Sequence, residues 1–243
     1  MLIRITDHCH GGCSHCFTES TPKGGHMALD TFKAALKISV ELGDLCLLIS
    51  GGEPTDHPDV IEFLKLAKAT PVVGQQVLLL SHGMWLTDPA FDAAKRQEII
   101  DIVDGIQVTN DPRYYPRRIE RVANPKIAYE DHIRQVVPFG RAKTNKIPSE
   151  RTSPLCFNLR SFTRSFGDIR QAIVAQRMRG SFCTPSINTN GDILAGEAIS
   201  CCPVGNVHDT WQTVNDGTIN LKCNNCGLVD NLSPQYKAAI GEV

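Results

Sequence analysis

Three cysteines near the start of the chain have the residue type and spacing of a metal site. Cys9, Cys13 and Cys16 follow the pattern C-x3-C-x2-C, with two glycines between the first two. Three thiolates on one short loop can each bind one iron of a cube-shaped cluster. A zinc site usually takes four protein ligands, commonly as two spaced pairs. The loop therefore predicts a [4Fe–4S] cluster with one iron left open, as a reactive metal centre requires.

A second group of five cysteines lies in the last quarter of the chain. Its members are Cys183, Cys201, Cys202, Cys223 and Cys226. The last two have the C-x2-C spacing of a metal knuckle, and two further cysteines would complete a four-thiolate site. Spacing alone permits either zinc or an iron–sulfur cluster. Because no export signal precedes the cysteines, we expect these thiols to be reduced and to bind metal rather than to form disulfides.

The elements that must position these residues alternate between strand and helix. The predicted strands are 2–5, 45–49, 77–80 and 106–109, and the predicted helices are 32–40, 58–66, 88–103 and 169–178. The run over 45–49 is continuously apolar, which is typical of a parallel strand buried on both faces. The alternation predicts an α/β fold with a parallel sheet, as an open sheet or a full or partial barrel. After residue 180 the pattern changes to short strands, glycines and cysteines, which predicts a small α+β extension.

A second motif gives the first cysteine loop a family resemblance. Ser50-Gly51-Gly52-Glu53-Pro54 follows the second predicted strand, as the cysteine loop follows the first. Together the two motifs resemble the cluster loop and the GGE motif of the radical S-adenosylmethionine (SAM) superfamily. The resemblance implies a partial (β/α) barrel in which SAM binds the open iron through its amino and carboxylate groups. It also implies that Gly51, Gly52 and Glu53 hold the SAM amino group, with Glu53 adding a complementary charge.

Three weaker matches extend the resemblance along the core. Ser81, after the third strand, resembles a segment where polar groups approach SAM. Thr109, after the fourth strand, is expected to reach the ribose or carboxylate of SAM. Arg141, in a Gly-Arg-Ala segment, is expected to bind the SAM carboxylate, because a guanidinium suits bidentate carboxylate binding. For Ser81 and Thr109 an ordinary capped strand end is the alternative.

The C-terminal cysteines also resemble a known extension of this superfamily. The segment Asn190-Gly-Asp-Ile-Leu, the following cysteine pair and Trp211 are similar to the SPASM/twitch extension, which carries auxiliary [4Fe–4S] clusters. The resemblance implies a radical SAM core over 1–180 and an auxiliary-cluster extension over 181–243. The implied ligands of one auxiliary cluster are Cys183, Cys201, Cys223 and Cys226, with Cys202 as the substitute for Cys201. Zinc or an incomplete site is the alternative.

Composition limits the partners and the location of the protein. The 243 residues carry a net charge of −1, which gives no general attraction to nucleic acid or to an anionic membrane. No segment approaches the about 20 apolar residues of a membrane span, and no signal-peptide core is apparent, so we expect a cytoplasmic protein. A run of arginines and tyrosines over 111–121 can bind RNA or an acidic peptide, but we favour a solvated helix face.

The resemblance implies reductive cleavage of SAM and abstraction of hydrogen from a substrate by the resulting 5′-deoxyadenosyl radical. A peptide or protein substrate is the leading hypothesis, and a small-molecule dehydrogenase acting on aminocyclitol-type alcohols is the main alternative. A glycyl-radical activase and a non-catalytic metal-binding module are two further hypotheses. The resemblance also implies an electron donor such as flavodoxin or ferredoxin.

Overall fold

The computed structural model describes residues 1–133, 136, 138–149, 156–178, 185–196, 201–230 and 232–239. The strands are β1 (Leu2–Arg4), β2 (Cys46–Ser50), β3 (Gln76–Ser81), β4 (Gly105–Thr109), β5 (Ile127–Glu130), β6 (Ser186–Ile187), β7 (Asp192–Leu194) and β8 (Pro203–Asn206). The helices are α1 (Leu29–Glu41), α2 (Val60–Ala69), α3 (Ala93–Ile102), α4 (Gly140–Thr144), α5 (Cys156–Phe166), α6 (Ile169–Met178), α7 (Trp211–Ile219) and α8 (Pro234–Ala239).

All eight strands belong to one sheet, in the order β5-β4-β3-β2-β1-β6-β7-β8. The first six strands of the chain pair in parallel, and β7 and β8 continue the sheet in antiparallel fashion. Within the described residues β5 and β8 are free edges, so the sheet curls without closing. The predicted α/β fold with a parallel sheet and a partial barrel is confirmed.

The two faces of the sheet differ in burial. Alternate residues of β1 to β4, such as Ile3, Ile49 and Leu79, are fully buried and pack with the helices in the main core. Most of their neighbours, such as Leu48, lie on the other face, which we call the open face, and are only partly buried. The expectation that the strand over 45–49 is buried on both faces is therefore wrong. The apolar runs arise because the open face also carries aliphatic side chains.

Three helices begin at residues other than the predicted ones, and the first of them, α1, begins at Leu29 rather than near residue 32. α3 begins at Ala93 rather than near residue 88, since the carboxylate of Asp92 accepts a hydrogen bond of 2.9 Å from the Lys95 amide. α2 begins at Val60 rather than near residue 58, after a short 3-10 turn that ends at Asp56. α6 has the predicted bounds.

The C-terminal strands extend the sheet next to β1. β6 pairs with β1 in parallel, with Leu2 opposite Ser186 and Ile3 opposite Ile187. The division near residue 180 falls beside residues 179–184, which lie outside the described residues, and stays a prediction. No helix within the described ranges is long and apolar enough to cross a membrane.

The close approach of α7 to β8 depends on a glycine. A methyl group on Gly217 would lie well inside van der Waals contact with the carbonyl oxygen of Val204. We predict that Gly217→Ala lowers the free energy of unfolding by about 1–3 kcal/mol, because overpacking outweighs the gain in helix propensity. Gly25→Ala is the matched control, since a methyl group there meets nothing within 4 Å. Urea unfolding of both variants checks this, and equal stabilities would contradict it.

Candidate metal and cofactor site

The backbone pairing of β1 and β2 continues beyond both strands into the two motifs. The Gly52 amide donates to the Thr6 carbonyl at 2.7 Å, and the Glu53 amide donates to the His8 carbonyl at 2.9 Å. A side chain on Gly51 would lie 2.5 Å from the Thr6 carbonyl oxygen. A side chain on Gly52 would lie 2.8 Å from the Cβ of Cys9. The two glycines are thus required because the motifs run side by side in close backbone contact.

The three N-terminal thiols come together in the loop that follows β1. Cys9 and Cys13 are buried and Cys16 is partly buried. The Gly11 amide lies 3.2 Å from the Cys9 sulfur, and the Thr18 hydroxyl lies 3.2 Å from the Cys16 sulfur. Hydrogen bonds of this kind favour thiolate sulfurs, and they are among the contacts that set the properties of iron–sulfur clusters.

Hydrogen bonding between two of the thiols and burial of the third shift the pKa of each cysteine in the loop. A hydrogen bond from Cys13 lowers the pKa of Cys16 to about 4, and the same bond raises the pKa of Cys13. Burial raises the pKa of Cys9 to about 11. Metal binding by these residues must therefore release protons from Cys9 and Cys13.

Two histidines and an aspartate beside the cysteine loop form a separate group of candidate ligand atoms. Within the described residues, three such atoms lie within 4.8 Å of one another at His8, His10 and Asp56. The histidine–aspartate group is explained by hydrogen bonds from both rings to Asp56, and His10 is 67% exposed.

Glu53 carries a buried carboxylate whose orientation is fixed by several donors. It is 1% exposed and accepts hydrogen bonds from the Ser81 hydroxyl at 2.9 Å, the Thr55 hydroxyl at 2.9 Å and the His82 amide at 3.1 Å. The Ser81 oxygen accepts in turn from the Trp85 indole at 2.9 Å. Ser81 therefore lies at the predicted site, where its hydroxyl holds Glu53 in place.

Arg141 fastens the cysteine loop from a distant part of the chain. Its guanidinium donates to the carbonyls of Cys13 at 2.9 Å and Ser20 at 2.8 Å, and its backbone amide donates to the Cys16 carbonyl at 3.0 Å. The predicted contact of Arg141 with a ligand carboxylate stays a prediction. Thr109 is the last residue of β4, at the carboxyl ends of the parallel strands, and it is partly buried. Its predicted ligand contact likewise stays a prediction.

The arginine–tyrosine run contributes to this site, which the sequence interpretation missed. Residues 111–121 form no helix, so the favoured reading as a solvated helix face is wrong. The Ser14 amide donates to the Tyr114 carbonyl at 2.8 Å. The ring of His15 lies 4.9 Å from that of Tyr114 and 5.2 Å from that of Tyr115, so the run covers the cysteine loop. Its position directly after β4, at the edge where the other motifs meet, is the signal that could have revealed this.

The second cysteine group is brought together only in part. Cys183 lies outside the described residues. A disulfide joins Cys202 to Cys223, so the expectation of reduced thiols is wrong for this pair. The side chains of Cys201 and Cys226 pack together with Phe17 around Phe139. Binding of iron by Cys223 therefore requires prior reduction of the disulfide.

Comparison with known proteins gives consistent matches. The family model of the radical SAM superfamily matches residues 3–136. PqqA peptide cyclase from Gluconobacter oxydans is 30% identical over 98 residues, which are 40% of this chain and 26% of that protein. GTP 3′,8-cyclase from Chlorobaculum tepidum is 27% identical over 136 residues, which are 55% of this chain and 37% of that protein. The chain thus aligns with between a quarter and two fifths of the length of these relatives.

A solved structure shares the fold. The crystal structure of BtrN in complex with AdoMet and 2-DOIA superposes with a TM-score of 0.59, over 93% of this chain and 82% of that one. The sequence identity is 13%. At this identity the likeness is one of fold.

The buried hydrogen bonds around Glu53 give a stability prediction. Ser81→Ala removes a donor to the carboxylate and leaves the Trp85 indole without its acceptor. We expect the free energy of unfolding to fall by about 1–3 kcal/mol, the usual cost of unpaired buried polar groups. Ser39→Ala is the control, because Ser39 is also fully buried but its hydroxyl has no partner among the described residues. Equal effects of the two substitutions on urea unfolding would contradict the role of Ser81.

Proposed function

The chain belongs to the radical SAM superfamily, and from that premise we propose that Cys9, Cys13 and Cys16 bind three irons of a [4Fe–4S] cluster whose fourth iron binds SAM. The observation that carries this proposal is the backbone pairing that sets Glu53 beside the cysteine loop. The donors to the thiol sulfurs fit such a cluster. A fourth protein ligand is not part of the proposal.

The residues around the cluster have distinct tasks in this proposal. Gly51, Gly52 and Glu53 hold the amino group of SAM, and Ser81 keeps the Glu53 carboxylate oriented. Thr109 and Arg141 contact the ribose or the carboxylate of SAM. When bound, the cluster and SAM supply reductive cleavage to methionine and a 5′-deoxyadenosyl radical, which abstracts hydrogen from the substrate.

Water exclusion is a further task of the chain. Cys9, Cys13 and Glu53 are buried, so little solvent reaches the thiols of the cysteine loop or the carboxylate of the second motif. The loop that carries Tyr114 and Tyr115 covers the cysteine loop from the side of β4. Burial raises the pKa of Tyr115, so its phenol stays protonated and adds no charge near the thiolates. A reactive radical intermediate requires protection of this kind against side reactions.

The proposed substrate is a peptide or a protein. The alignment with a relative named PqqA peptide cyclase supports this class, although that match covers 40% of this chain. The proposed electron donor is a small redox protein such as flavodoxin or ferredoxin, and the proposed location is the cytoplasm. A reducing compartment would keep the ligand thiols available for metal.

The C-terminal cysteines are proposed to bind one auxiliary [4Fe–4S] cluster. The proposed ligands are Cys183, Cys201, Cys223 and Cys226, with Cys202 as the substitute for Cys201. Support comes from the packing of Cys201 and Cys226 around one phenylalanine and from the contact between Cys202 and Cys223. Four protein ligands leave no open iron, so this cluster would serve electron transfer.

Cluster loading and SAM cleavage test the core of the proposal. We predict that Cys13→Ala lowers the iron content from about eight to about four atoms per chain, because one of two cubane clusters is lost. The same variant should form no 5′-deoxyadenosine with dithionite and SAM. Cys46→Ala is the control, since Cys46 lies in β2 and should be dispensable for both properties. Full turnover by Cys13→Ala would contradict the assignment, and absence of SAM cleavage by the wild type would favour a non-catalytic metal-binding module.

Hydrogen transfer tests the substrate class. Candidate precursor peptides deuterated at their non-exchangeable positions should transfer deuterium to 5′-deoxyadenosine, as measured by mass spectrometry, and Cys13→Ala should abolish the transfer. Transfer from a deuterated aminocyclitol alcohol and from no peptide would replace the proposal with the small-molecule alternative. Appearance of a glycyl radical on a partner enzyme would instead identify an activase.

A further inference from the structure

Arg4 is a buried cation without a hydrogen-bond partner among the described residues. It ends β1 on the open face of the sheet, because Ile3 and Ile5 on either side of it belong to the main core. Arg4 is 1% exposed, and its Nε, Nη1 and Nη2 atoms all lack acceptors. Burial of a charge without compensation is costly, and this arginine therefore requires an anionic partner.

The contrast with the other fully buried arginine is informative. The Nη1 of Arg160 donates to the carbonyl of Leu221 at 2.7 Å, so that guanidinium binds the backbone. Arg4 has no such bond within the described part of the chain. Arg4 lies in β1, between β2 and β6. It therefore directly precedes the cysteine loop in the sheet and adjoins the first strand of the C-terminal extension.

The groups whose negative charge acts on Arg4 include one cysteine from each cysteine group. Burial lowers the pKa of Arg4, and Asp7, Cys201 and Cys16 oppose that shift. Asp7 forms no ion pair with Arg4. One Asp7 oxygen accepts from the Thr189 hydroxyl at 2.6 Å, and the other is buried with no partner among the described residues. An arginine keeps its charge when buried, so the guanidinium remains a cation here.

The two cysteine groups meet close to this position. Cys201 and Cys226 pack around Phe139 together with Phe17, which directly follows Cys16. The segment after Phe139 is hydrogen bonded to the Cys16 carbonyl. These contacts set the first cysteine loop directly against the second cysteine group. Arg4 is a buried cation close to a cysteine of each.

We propose that Arg4 is the internal counter-cation of the iron–sulfur centres, compensating the negative charge of the ligating thiolates from both cysteine groups. The inference rests on the proposed function, since it requires that these thiolates bind clusters. Reduction adds negative charge to a cluster, and a nearby cation stabilises the reduced state. Arg4 therefore raises the reduction potential of the neighbouring clusters. It also makes the chain without clusters less stable than its packing would allow.

Reduction potentials of the reconstituted protein test the inference. We expect Arg4→Met to lower the potential of at least the cluster at Cys9, Cys13 and Cys16 by about 59 mV, a tenfold change for one electron, in redox titrations followed by electron paramagnetic resonance. Arg4→Lys retains the charge and should stay close to the wild type. Arg4→Gln provides the same test if the methionine variant does not load its clusters.

A control cation lies at the opposite edge of the sheet. Lys126 precedes β5, and its Nζ donates to the carbonyls of Ile100 and Val103 at 2.8 Å each. Lys126→Met should lower the melting temperature both with and without clusters and should leave the potentials unchanged. Arg4→Met should instead raise the melting temperature of the chain without clusters, because it removes an uncompensated buried charge.

The outcomes separate the inference from the function on which it rests. Unchanged potentials in fully loaded Arg4→Met, or a lower melting temperature of that variant without clusters, would overturn the role of Arg4 alone. An equal fall in potential for Arg4→Lys and Arg4→Met would also overturn it, because charge would not be the cause. Failure of the wild type to assemble any cluster would instead overturn the proposed function.

Discussion

The backbone pairing that carries β1 and β2 past their ends is the constraint on which the site depends. Because the amides of Gly52 and Glu53 bind the carbonyls of Thr6 and His8, the carboxylate-bearing motif cannot move relative to the cysteine loop. This backbone contact leaves no room for a side chain at Gly51 or Gly52. A site built on strand ends in this way is held with the precision of the sheet rather than that of a free loop.

Charges are distributed around this frame so that each anion has its own support. The carboxylate of Glu53 is held by neutral donors, chiefly the Ser81 hydroxyl and the His82 amide at the end of β3. The cysteine loop is held by Arg141, whose guanidinium binds loop carbonyls. Arg4 is a buried cation whose donors have no acceptor among the described residues, and it faces the region where metal-bound thiolates would concentrate negative charge.

The sequence predicted the parts of the site that depend on neighbouring residues and missed those that depend on distant ones. The cysteine loop and Glu53 follow apolar strands, and parallel strand ends meet at one edge, so their proximity could be derived. The contact of Ser14 with Tyr114 joins residues 100 positions apart and leaves no local pattern. The isolation of Arg4 was equally hidden, because a single arginine at the end of an apolar strand is compatible with exposure.

The central claim is that one iron of the N-terminal cluster is free of side chains and binds SAM. Electron–nuclear double resonance of the reduced protein with SAM labelled by 15N in its amino group and 17O in its carboxylate measures this directly. The account predicts magnetic coupling of both labels to the cluster. Coupling to a protein nitrogen, with none to either label, would show that the chain itself holds the fourth iron and would contradict the account.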